Sequence, residues 1–522
     1  MEKHNNQHSV FSAAPSYVSL PSFRPQSVGL EQYHPQDESL NLLRRRSSMQ
    51  HSGSVDGHIA FQVPDQKRFS PPVLPFSTGH SGDLGGKQRM VVSPAAVIMT
   101  LGALAVGFAF GSRSSRPGTV MPLAHSRTTV TESLYALGQN SGRTWMEHIN
   151  SLDGEGLAPM TKYTQQWIHD WQNPPLEECS QKEFLLVGGI SDDQDAGHGL
   201  GSTAHMMGYM LDVAISRGSI LAWGAEPLGR LFVDEDCSID GLRSMDCIFE
   251  PLTTCPRSVF TAENSKMLDL EAALGWKGNG FDGDNEGIPI HLKNRLNIAG
   301  LLTHSDGLKY WWRTQSASYI LRLKQSSLRD IAVSRRNSSL HFGFSLSSLT
   351  GRTMESEMPN PLPGGVFSLH VRHGDKGSEM ALHPVSDYVK KASELLSMNP
   401  NGFKKSIFIS TEDPHVFDNA HLISSLGVFK TSPAIDWTFY GSHIERSNGG
   451  PAAQLKMFHT RSATTLSWMA ELLIALECDG FVGTRGSNWN RVIDELRCVW
   501  VAKCSHPYLE VGDEKDWSGY SW

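Results

Sequence analysis

Short apolar runs alternate with amphipathic helical segments in this sequence, and this alternation restricts the fold more than any other feature. The run FLLVGGI, from Phe184 to Ile190, is followed by a glycine-rich stretch, a segment of helical periodicity and a second apolar run, SILAW. Strand, loop, helix and strand in this order form a βαβ unit, in which the two strands are parallel. The sequence therefore predicts an α/β fold with a parallel sheet in this part of the chain.

The same alternation returns in the last third of the chain. A strand VFSLHV begins at Val366, a helix is predicted from Pro384 to Ser397, and a strand SIFIST begins at Ser406. A helix from Thr464 to Leu476 leads to the strand GFVG, the turn TRGSN and a last helix from about Trp489 to Leu496. Open α/β sheets bind ligands beyond the carboxyl ends of their strands, so the loops at those ends are the candidate site.

The N-terminal part of the chain lacks this pattern. Residues 1–89 are rich in Ser, Pro, Gln, His and Gly, which predicts a disordered tail. Residues 90–111 contain no charged residue and are long enough to cross a bilayer, which predicts a transmembrane anchor; a buried core helix is the alternative. Residues 112–160 are predicted to form a stem, 161–345 a first Rossmann-like domain, and 346–522 a second one.

Charge and cysteine usage restrict the partners and the compartment. The net charge is -8 and no stripe of Lys and Arg with interleaved aromatic residues is present, which argues against nucleic-acid binding. All 7 cysteines follow the apolar segment, a distribution typical of an oxidising lumenal compartment. They allow three disulfides and one free thiol, with connectivity left open, and reduced buried cysteines are the alternative.

Two loops at predicted strand ends are candidate anion-binding sites. Gly197, Gly199 and Gly201 precede a helix, where glycines let the backbone approach a ligand and the helix N-terminus offers free N–H groups. In the turn TRGSN, Ser487 precedes the last helix, and its hydroxyl can hold a phosphate oxygen. The alternatives are an ordinary βα turn for the glycines and an N-cap for the serine.

The stretch FSLHVRHGDKGSEM concentrates charges directly after a predicted strand. Arg372 leaves the strand end, where a guanidinium can bind a pyrophosphate or carboxylate through two hydrogen bonds. Asp375 and Lys376 can orient each other, and Glu379 can accept a proton. A solvated ion-pair network is the alternative.

The tetrapeptide Val371-Arg372-His373-Gly374 also matches the R-H-G signature of histidine phosphatases and phosphoglycerate mutases, in which the histidine is phosphorylated. In that superfamily the signature opens the catalytic domain, whereas here it lies mid-chain. The nearest candidate for the second histidine, Gly441-Ser442-His443, is a poor match. A histidine phosphatase using His373 is therefore an alternative hypothesis.

Taken in order, these segments resemble the α-1,6-fucosyltransferase family, the N-glycan core fucosyltransferases and their bacterial nodulation relatives. The main match is to the family motif H-V-R-R-x-D-K…E…H-P, met here by His370-Val371-Arg372, Asp375-Lys376, Glu379 and His383-Pro384. The other matches are the glycine loop with His205, Phe249-Glu250-Pro251 with Cys255, Trp311-Trp312 with Arg322, Ile409 to Pro414, Ser467 to Leu476, and Phe481 to Arg491. The resemblance spans residues 180 to 500, approximately.

The resemblance implies a pair of Rossmann-like domains of the GT-B type, the first facing the acceptor and the second binding the GDP-sugar. It implies GDP-fucose as donor, a glycan or glycoprotein as acceptor, with the core GlcNAc of N-glycans in α-1,6 linkage as the default, and inversion without a metal ion. The expected location is the Golgi membrane, with one membrane-spanning helix and the catalytic part in the lumen. A homodimer is left open, and a non-catalytic glycan-binding relative of the family is a further alternative.

The resemblance also implies roles for single residues. Fixed positive charge and N–H groups for the leaving GDP would come from Arg372, Ser487 and the glycine loop. Glu471 can accept both N1–H and N2–H of guanine, and Glu379 is the expected base, with Lys376 beside it. The expected donor-binding residues are Gly197, Gly199, His370, Arg372, Asp375, Glu412, Asp413, Glu471 and Ser487. A Cys179–Cys255 disulfide is implied by the same resemblance.

The sequence departs from the family pattern at several positions. His373 replaces the family's second arginine, so the charge beside the pyrophosphate would depend on pH. Glu412 and Glu471 stand where the family has aspartate, which gives each carboxylate a longer reach. The segment between Lys376 and Glu379 is one residue shorter than in the family.

Overall fold

The computed structural model describes the chain from residue 134 to residue 512 with several gaps. The described ranges are 134–139, 142–187, 199–224, 232–234, 237–239, 242–268, 289, 292, 294–295, 305–347, 351–378, 380–417, 437–447, 449 and 461–512. The chain divides into two units, Met1–Val106 and Gly107–Trp522, and every described residue belongs to the second. The predicted tail and the predicted membrane anchor therefore lie outside the described residues. Within these ranges no helix has the length and apolar character needed to span a bilayer.

Among the described residues, helices α1 (Trp145–Ser151) and α2 (Thr161–Gln172) precede the first sheet. Helix α1 begins at a capping box, in which Thr144 and Glu147 each accept a hydrogen bond from the backbone N–H of the other. Trp145 and Ile149 on this helix are buried in the core that also covers the first sheet. The described portion of the predicted stem thus packs on the core.

The first sheet has three parallel strands in the order β2–β1–β5. The strands in this part of the chain are β1 (Phe184–Val187), β2 (Ile220–Trp223), the short antiparallel pair β3 (Ser238–Ile239) and β4 (Leu242–Arg243), and β5 (Ser265–Leu268). Helix α3 (Leu200–Ser216) connects β1 to β2, which confirms the predicted βαβ unit.

Helices α4 (Ser305–Ile320) and α5 (Gln325–Arg336) complete the first part of the chain. Helix α4 approaches α3 so closely that a Cβ at Gly208 would lie 2.3 Å from the Ser316 hydroxyl oxygen. Trp312 donates its indole N–H to the carbonyl of Gly208 at 3.2 Å, and Trp311 donates to the carbonyl of Pro159 at 2.8 Å. The two tryptophans singled out in the sequence are therefore core residues of this helix pair.

The second sheet has seven strands in the order β12–β11–β8–β9–β10–β6–β7. They are β6 (His341–Ser347), β7 (Gly351–Ser356), β8 (Phe367–Val371), β9 (Ser406–Thr411), β10 (Trp437–Ser442), β11 (Gly480–Gly483) and β12 (Tyr508–Glu510). The strands from β12 to β10 are parallel, whereas β6 runs antiparallel to β10, and β7 antiparallel to β6. Strand β6 begins before the predicted domain boundary at residue 346.

The described residues of this part include helices α6 (Val385–Met398), α7 (Arg461–Glu477) and α8 (Asn488–Trp500), close to the predicted bounds. Helix α8 follows β11 but packs against α3 and α4 of the first part. The hydroxyl of Tyr310 donates to Asp494 of α8, and the indole N–H of Trp500 donates to the carbonyl of Ser318 at 3.2 Å. The two sheets are thus joined through α8.

Three disulfides are present, Cys179–Cys255, Cys237–Cys247 and Cys498–Cys504, while Cys478 is a buried free thiol. This confirms the expectation of three bridges and one thiol, and it confirms the pairing that the family resemblance implied. The first bridge joins residues 76 positions apart and is buried beside β1 and β2.

Candidate active site

A cleft opens beyond the carboxyl ends of β8 and β9, where the glycine loop, the charged stretch after β8 and the turn before α8 meet. Its walls include Gly199, Gly201, His370, Arg372, Lys376, Glu412, Arg446, Glu471 and Ser487. Gly197 and Glu379 lie outside the described residues. Asp375 lies in the single helical turn Gly374–Ser378, of which the backbone is described.

Arg372 lies at the end of β8 with only 7% of its side chain exposed. Its Nη1 donates to the backbone carbonyl of His373 at 3.1 Å and to the carboxylate of Glu412. The same oxygen of Glu412 accepts the backbone N–H of His373 at 2.6 Å. Glu412 therefore fixes the guanidinium to the end of the strand and balances part of its charge.

His373 is turned away from the cleft. Its Nδ1 lies 2.9 Å from Oδ2 of Asp413, and its Nε2 lies 2.8 Å from the carbonyl oxygen of His383. Asp413 also accepts the backbone N–H of His415 at 2.9 Å. The ring links the end of β9 to the segment before α6, and it does not line the cleft as the family's second arginine was expected to do.

His370 is buried at the end of β8 and faces the cleft. Its Nδ1 lies 3.2 Å from the hydroxyl of Ser410, while its Nε2 has no hydrogen-bond partner in the described part of the chain. Burial, together with the nearby Arg372 guanidinium, lowers the pKa of His370 to about 3. The ring is therefore neutral at physiological pH, and its Nε2 is buried as well as unpartnered within the described residues.

Glu471 of α7 is paired with an arginine that sequence reasoning missed. Burial raises the pKa of Glu471 to about 7, against the opposing effect of the Arg446 guanidinium. Nη2 of Arg446 lies 2.9 Å from Oε1 of Glu471, and both side chains are 7% exposed. Arg446 comes shortly after β10, in a segment without periodicity. Its position beyond the carboxyl end of a parallel strand is the one signal that would have singled it out.

Ser487 is the N-cap of α8, as the alternative interpretation held, because its hydroxyl oxygen accepts the backbone N–H of Asn490 at 3.4 Å. It also lines the cleft. The preceding turn is held from behind by Arg485, which donates its backbone N–H to Glu510 at 2.7 Å and Nη2 to Asp494 at 3.0 Å. The turn is thus fixed by groups outside the cleft.

The first turn of α3 forms the part of the wall next to the start of α8. Its N-cap is Gly199, which has no side chain to satisfy the free N–H groups of that turn. A Cβ at Gly201 would lie 2.9 Å from the backbone nitrogen of Trp489, so this glycine lets α3 and the first turn of α8 approach each other. Two helix N-termini therefore border one cleft, an arrangement that favours an anion.

Two further residues of the family resemblance, His205 and Arg322, have structural contacts instead of positions in the cleft. His205 lies 3.0 Å from the amide oxygen of Asn488 through Nδ1 and 2.8 Å from Glu495 through Nε2. Burial lowers the pKa of His205 to about 4. Arg322 donates Nε to the carbonyl of Tyr319 at 2.7 Å and stacks over its ring. These residues and the two tryptophans of α4 hold the first part of the chain together and fasten it to α8.

Within the described ranges, no group of three or more His, Cys, Asp or Glu side chains is arranged to hold a metal ion. The metal-independent reaction that the family resemblance implies therefore stays a prediction.

No protein-family model matches the chain. Among solved structures, the chain is similar to a crystal structure of NodZ alpha-1,6-fucosyltransferase soaked with GDP-fucose, with 13% identity, a TM-score of 0.28, and coverage of 60% of this chain and 92% of that one. The apo form of POFUT1 matches with 9% identity, a TM-score of 0.25, and coverage of 69% and 96%. POFUT1 in complex with GDP-fucose matches with 10% identity, a TM-score of 0.22, and coverage of 68% and 79%. At TM-scores this low, a function has to be inferred from the cleft itself.

Proposed function

We propose that this protein is a glycosyltransferase that moves fucose from GDP-fucose to a glycan acceptor by metal-independent inverting displacement. The observation that supports the proposal most directly is the meeting of Arg372, the cleft-facing His370 and two helix N-termini at the carboxyl ends of parallel strands. Such a cleft suits a ligand with concentrated negative charge, as in a nucleoside diphosphate sugar.

In the proposed reaction the acceptor hydroxyl oxygen attacks C1 of fucose on the face opposite GDP. The bond between C1 and the β-phosphate oxygen breaks, and GDP leaves with the electron pair. Arg372 and Lys376 balance the charge that develops on the diphosphate, and the N–H groups at the start of α3 and the Ser487 hydroxyl add hydrogen bonds. His370, neutral in the folded protein, borders the cleft beside Arg372 and remains a proposed donor-binding residue.

A single displacement needs one base to take the proton of the acceptor hydroxyl. Glu379 remains the proposed base, with Lys376 close in sequence. Its role comes from the motif resemblance, because this glutamate lies outside the described residues. Asp375 and Gly197 remain proposed donor-binding residues on the same basis.

The finer assignments belong to the same proposal. We propose a GT-B arrangement of two Rossmann-like domains, with α-1,6 transfer to the core GlcNAc of N-glycans as the default acceptor reaction. We also propose a Golgi membrane location with the catalytic part in the lumen, anchored through residues 90–111. The three disulfides fit an oxidising compartment.

The test is turnover of a panel of nucleotide sugars by the full-length protein in detergent, with and without EDTA. Hydrolysis or transfer from GDP-fucose alone, unchanged by the chelator, is the expected result. Arg372→Ala should abolish most of this turnover, whereas Lys391→Ala, a matched change in a surface ion pair of α6, should leave it unchanged. Full turnover by Arg372→Ala would exclude the proposed role of the guanidinium.

A further inference from the structure

Arg446 is held rigidly in the wall of the cleft. Its Nε donates to the carbonyl of Thr411 at 2.9 Å, Nη1 donates to the carbonyl of Ile444 at 2.9 Å, and Nη2 contacts Glu471 at 2.9 Å. The guanidinium also lies over the ring of Phe417, with 4.8 Å between its central carbon and the ring centroid. Carbonyl groups, an aromatic face and a carboxylate thus fix a charged side chain that is almost fully removed from solvent.

The hydrogen-bond count leaves part of this guanidinium for a ligand. Arginine has five N–H donors, and the three contacts use one each on Nε, Nη1 and Nη2. One N–H on each terminal nitrogen therefore remains, and both nitrogens belong to a side chain that lines the cleft. An ion pair placed only for stability would contribute little, because desolvation offsets most of its Coulomb energy.

The pair presents two donors next to a carboxylate acceptor. Guanine has the complementary pattern, since O6 and N7 accept hydrogen bonds while N1–H and N2–H, on the adjoining edge, donate them. Adenine has an amino donor where guanine has O6, so it would direct N–H groups against N–H groups.

The position of the pair also suits the base of a nucleotide. The carbonyl that anchors Arg446 belongs to Thr411, and the next residue, Glu412, binds Arg372. The group that would hold the diphosphate and the group that would hold the base are thus fixed by consecutive residues at the end of β9.

We propose that Arg446 is a second specificity-determining residue for the donor, donating to O6 and N7 of guanine while Glu471 accepts from N1–H and N2–H. This inference rests on the proposed function for the presence of a guanine nucleotide in the cleft. It assigns to Arg446 a role that the sequence motifs do not contain.

Isothermal titration of the full-length protein in detergent at pH 8 tests the proposal with four ligands. GDP is the reference, inosine diphosphate lacks the 2-amino group, and 7-deaza-GDP lacks the N7 acceptor. ADP has an amino donor where GDP has the O6 acceptor. We expect inosine diphosphate and 7-deaza-GDP each to bind roughly tenfold to a hundredfold more weakly than GDP, and ADP to bind more weakly still.

Two variants separate recognition of guanine by the Arg446 guanidinium from the effect of its positive charge. Arg446→Lys keeps the charge but loses the planar fork, so GDP and 7-deaza-GDP should bind it with equal affinity, while the penalty for inosine diphosphate remains. Arg336→Gln, on the exposed end of α5, is the control and should preserve all four affinities.

The outcomes distinguish this inference from the proposed function. Wild-type protein that binds GDP no better than ADP would overturn the GDP-sugar proposal and, with it, the role of Arg446. Wild-type protein that prefers GDP but binds 7-deaza-GDP equally well would overturn the role of Arg446 alone. Because this comparison uses the wild-type chain, it decides the question even if the variants do not fold.

Discussion

The side chain of His373 is bound to Asp413, with 2.9 Å between Nδ1 and Oδ2, while its other ring nitrogen lies 2.8 Å from the carbonyl oxygen of His383. A histidine that attacks phosphorus needs a nitrogen lone pair directed at the substrate. Both nitrogens of His373 contact the protein instead. The geometry therefore favours a positioning role for this ring over a nucleophilic one.

We expect His373→Ala to retain transferase activity, with a decrease of about tenfold or less, as for the loss of a contact worth about 1 kcal/mol. The reason is that Arg372 keeps its anchor on Glu412 when the ring is removed. The measurement is GDP release from GDP-fucose, alongside hydrolysis of a generic phosphomonoester. Phosphatase activity in the wild type that disappears in the variant would support the histidine phosphatase hypothesis instead.

GDP affinity should depend on pH through Glu471. Burial raises the pKa of this carboxyl group to about 7 in the unliganded protein, and binding of guanine N–H groups requires the ionised form. Binding therefore releases a proton at pH values below about 7, so affinity should fall as the pH decreases through that region and level off above it. Titration calorimetry in buffers of different ionisation enthalpy measures the proton release.

The phosphates of GDP also titrate in this range, so Glu471→Gln is the control for the ligand's own ionisation. The GDP affinity of this variant should depend on pH only through the ionisation of the GDP phosphates. Identical proton release by the variant and the wild type would contradict the role assigned to Glu471.

Asp212 of α3 should make the unfolding free energy depend on pH. Burial raises the pKa of this carboxyl group to about 7, and the Ser216 hydroxyl is its hydrogen-bond donor at 3.3 Å. Because the folded state holds this proton more tightly, the group's stabilising contribution is lost as the pH rises towards 7. Asp212→Asn should therefore exceed the wild type in stability by about 1–3 kcal/mol above pH 7. Urea unfolding should show this difference growing between pH 5 and 7, and a constant difference would contradict the assignment.

Gly201→Ala should destabilise the protein although alanine is the better helix former. The added methyl group would lie 2.9 Å from the backbone nitrogen of Trp489 and push α3 away from α8. We expect a loss of about 1–3 kcal/mol in unfolding free energy, together with weaker GDP binding. Gly154→Ala, at a position with open space around its Cβ, is the control. Unchanged stability in Gly201→Ala would show that the contact between the two helices is not tight.

Replacing Cys179 and Cys255 together by serine should lower the unfolding free energy by about 2–4 kcal/mol, because their bridge restricts a long segment of the unfolded chain. Denaturation of the wild type with and without reductant is the companion measurement. Reductant should lower the unfolding free energy of the wild type more than that of the double variant, because the variant lacks this bridge. Equal stability of the variant and the oxidised wild type would contradict this prediction.

The parts of the fold predicted from the sequence are those set by local periodicity. Strand β8, helix α6 and helix α7 were recognised because their apolar positions repeat with a strand or helix period over enough residues. The antiparallel pair β6–β7 and its place beside β10 were not predicted, because pairing between distant strands leaves little trace in either one alone.

The candidate site was likewise predicted only in part from the sequence. Arg372 and Ser487 were found because one lies directly after a strand and the other directly before a helix, whereas His370 was found through the family motif. Arg446 was missed because its importance depends on β10 lying beside β9, which determines that it reaches Glu471. His205 was assigned to the donor loop because of its sequence neighbourhood, yet its partners are Asn488 and Glu495, almost 300 positions away.

Helix α8 comes late in the chain but covers helices that precede the second sheet. A fragment cut near residue 345 would leave α3 and α4 without the surface that Tyr310 and Trp500 now fill. Joining the second part of the chain to a different first part would therefore require a new helical partner for α8. Chimeras of this protein are better planned around that helix than around the sequence boundary between its halves.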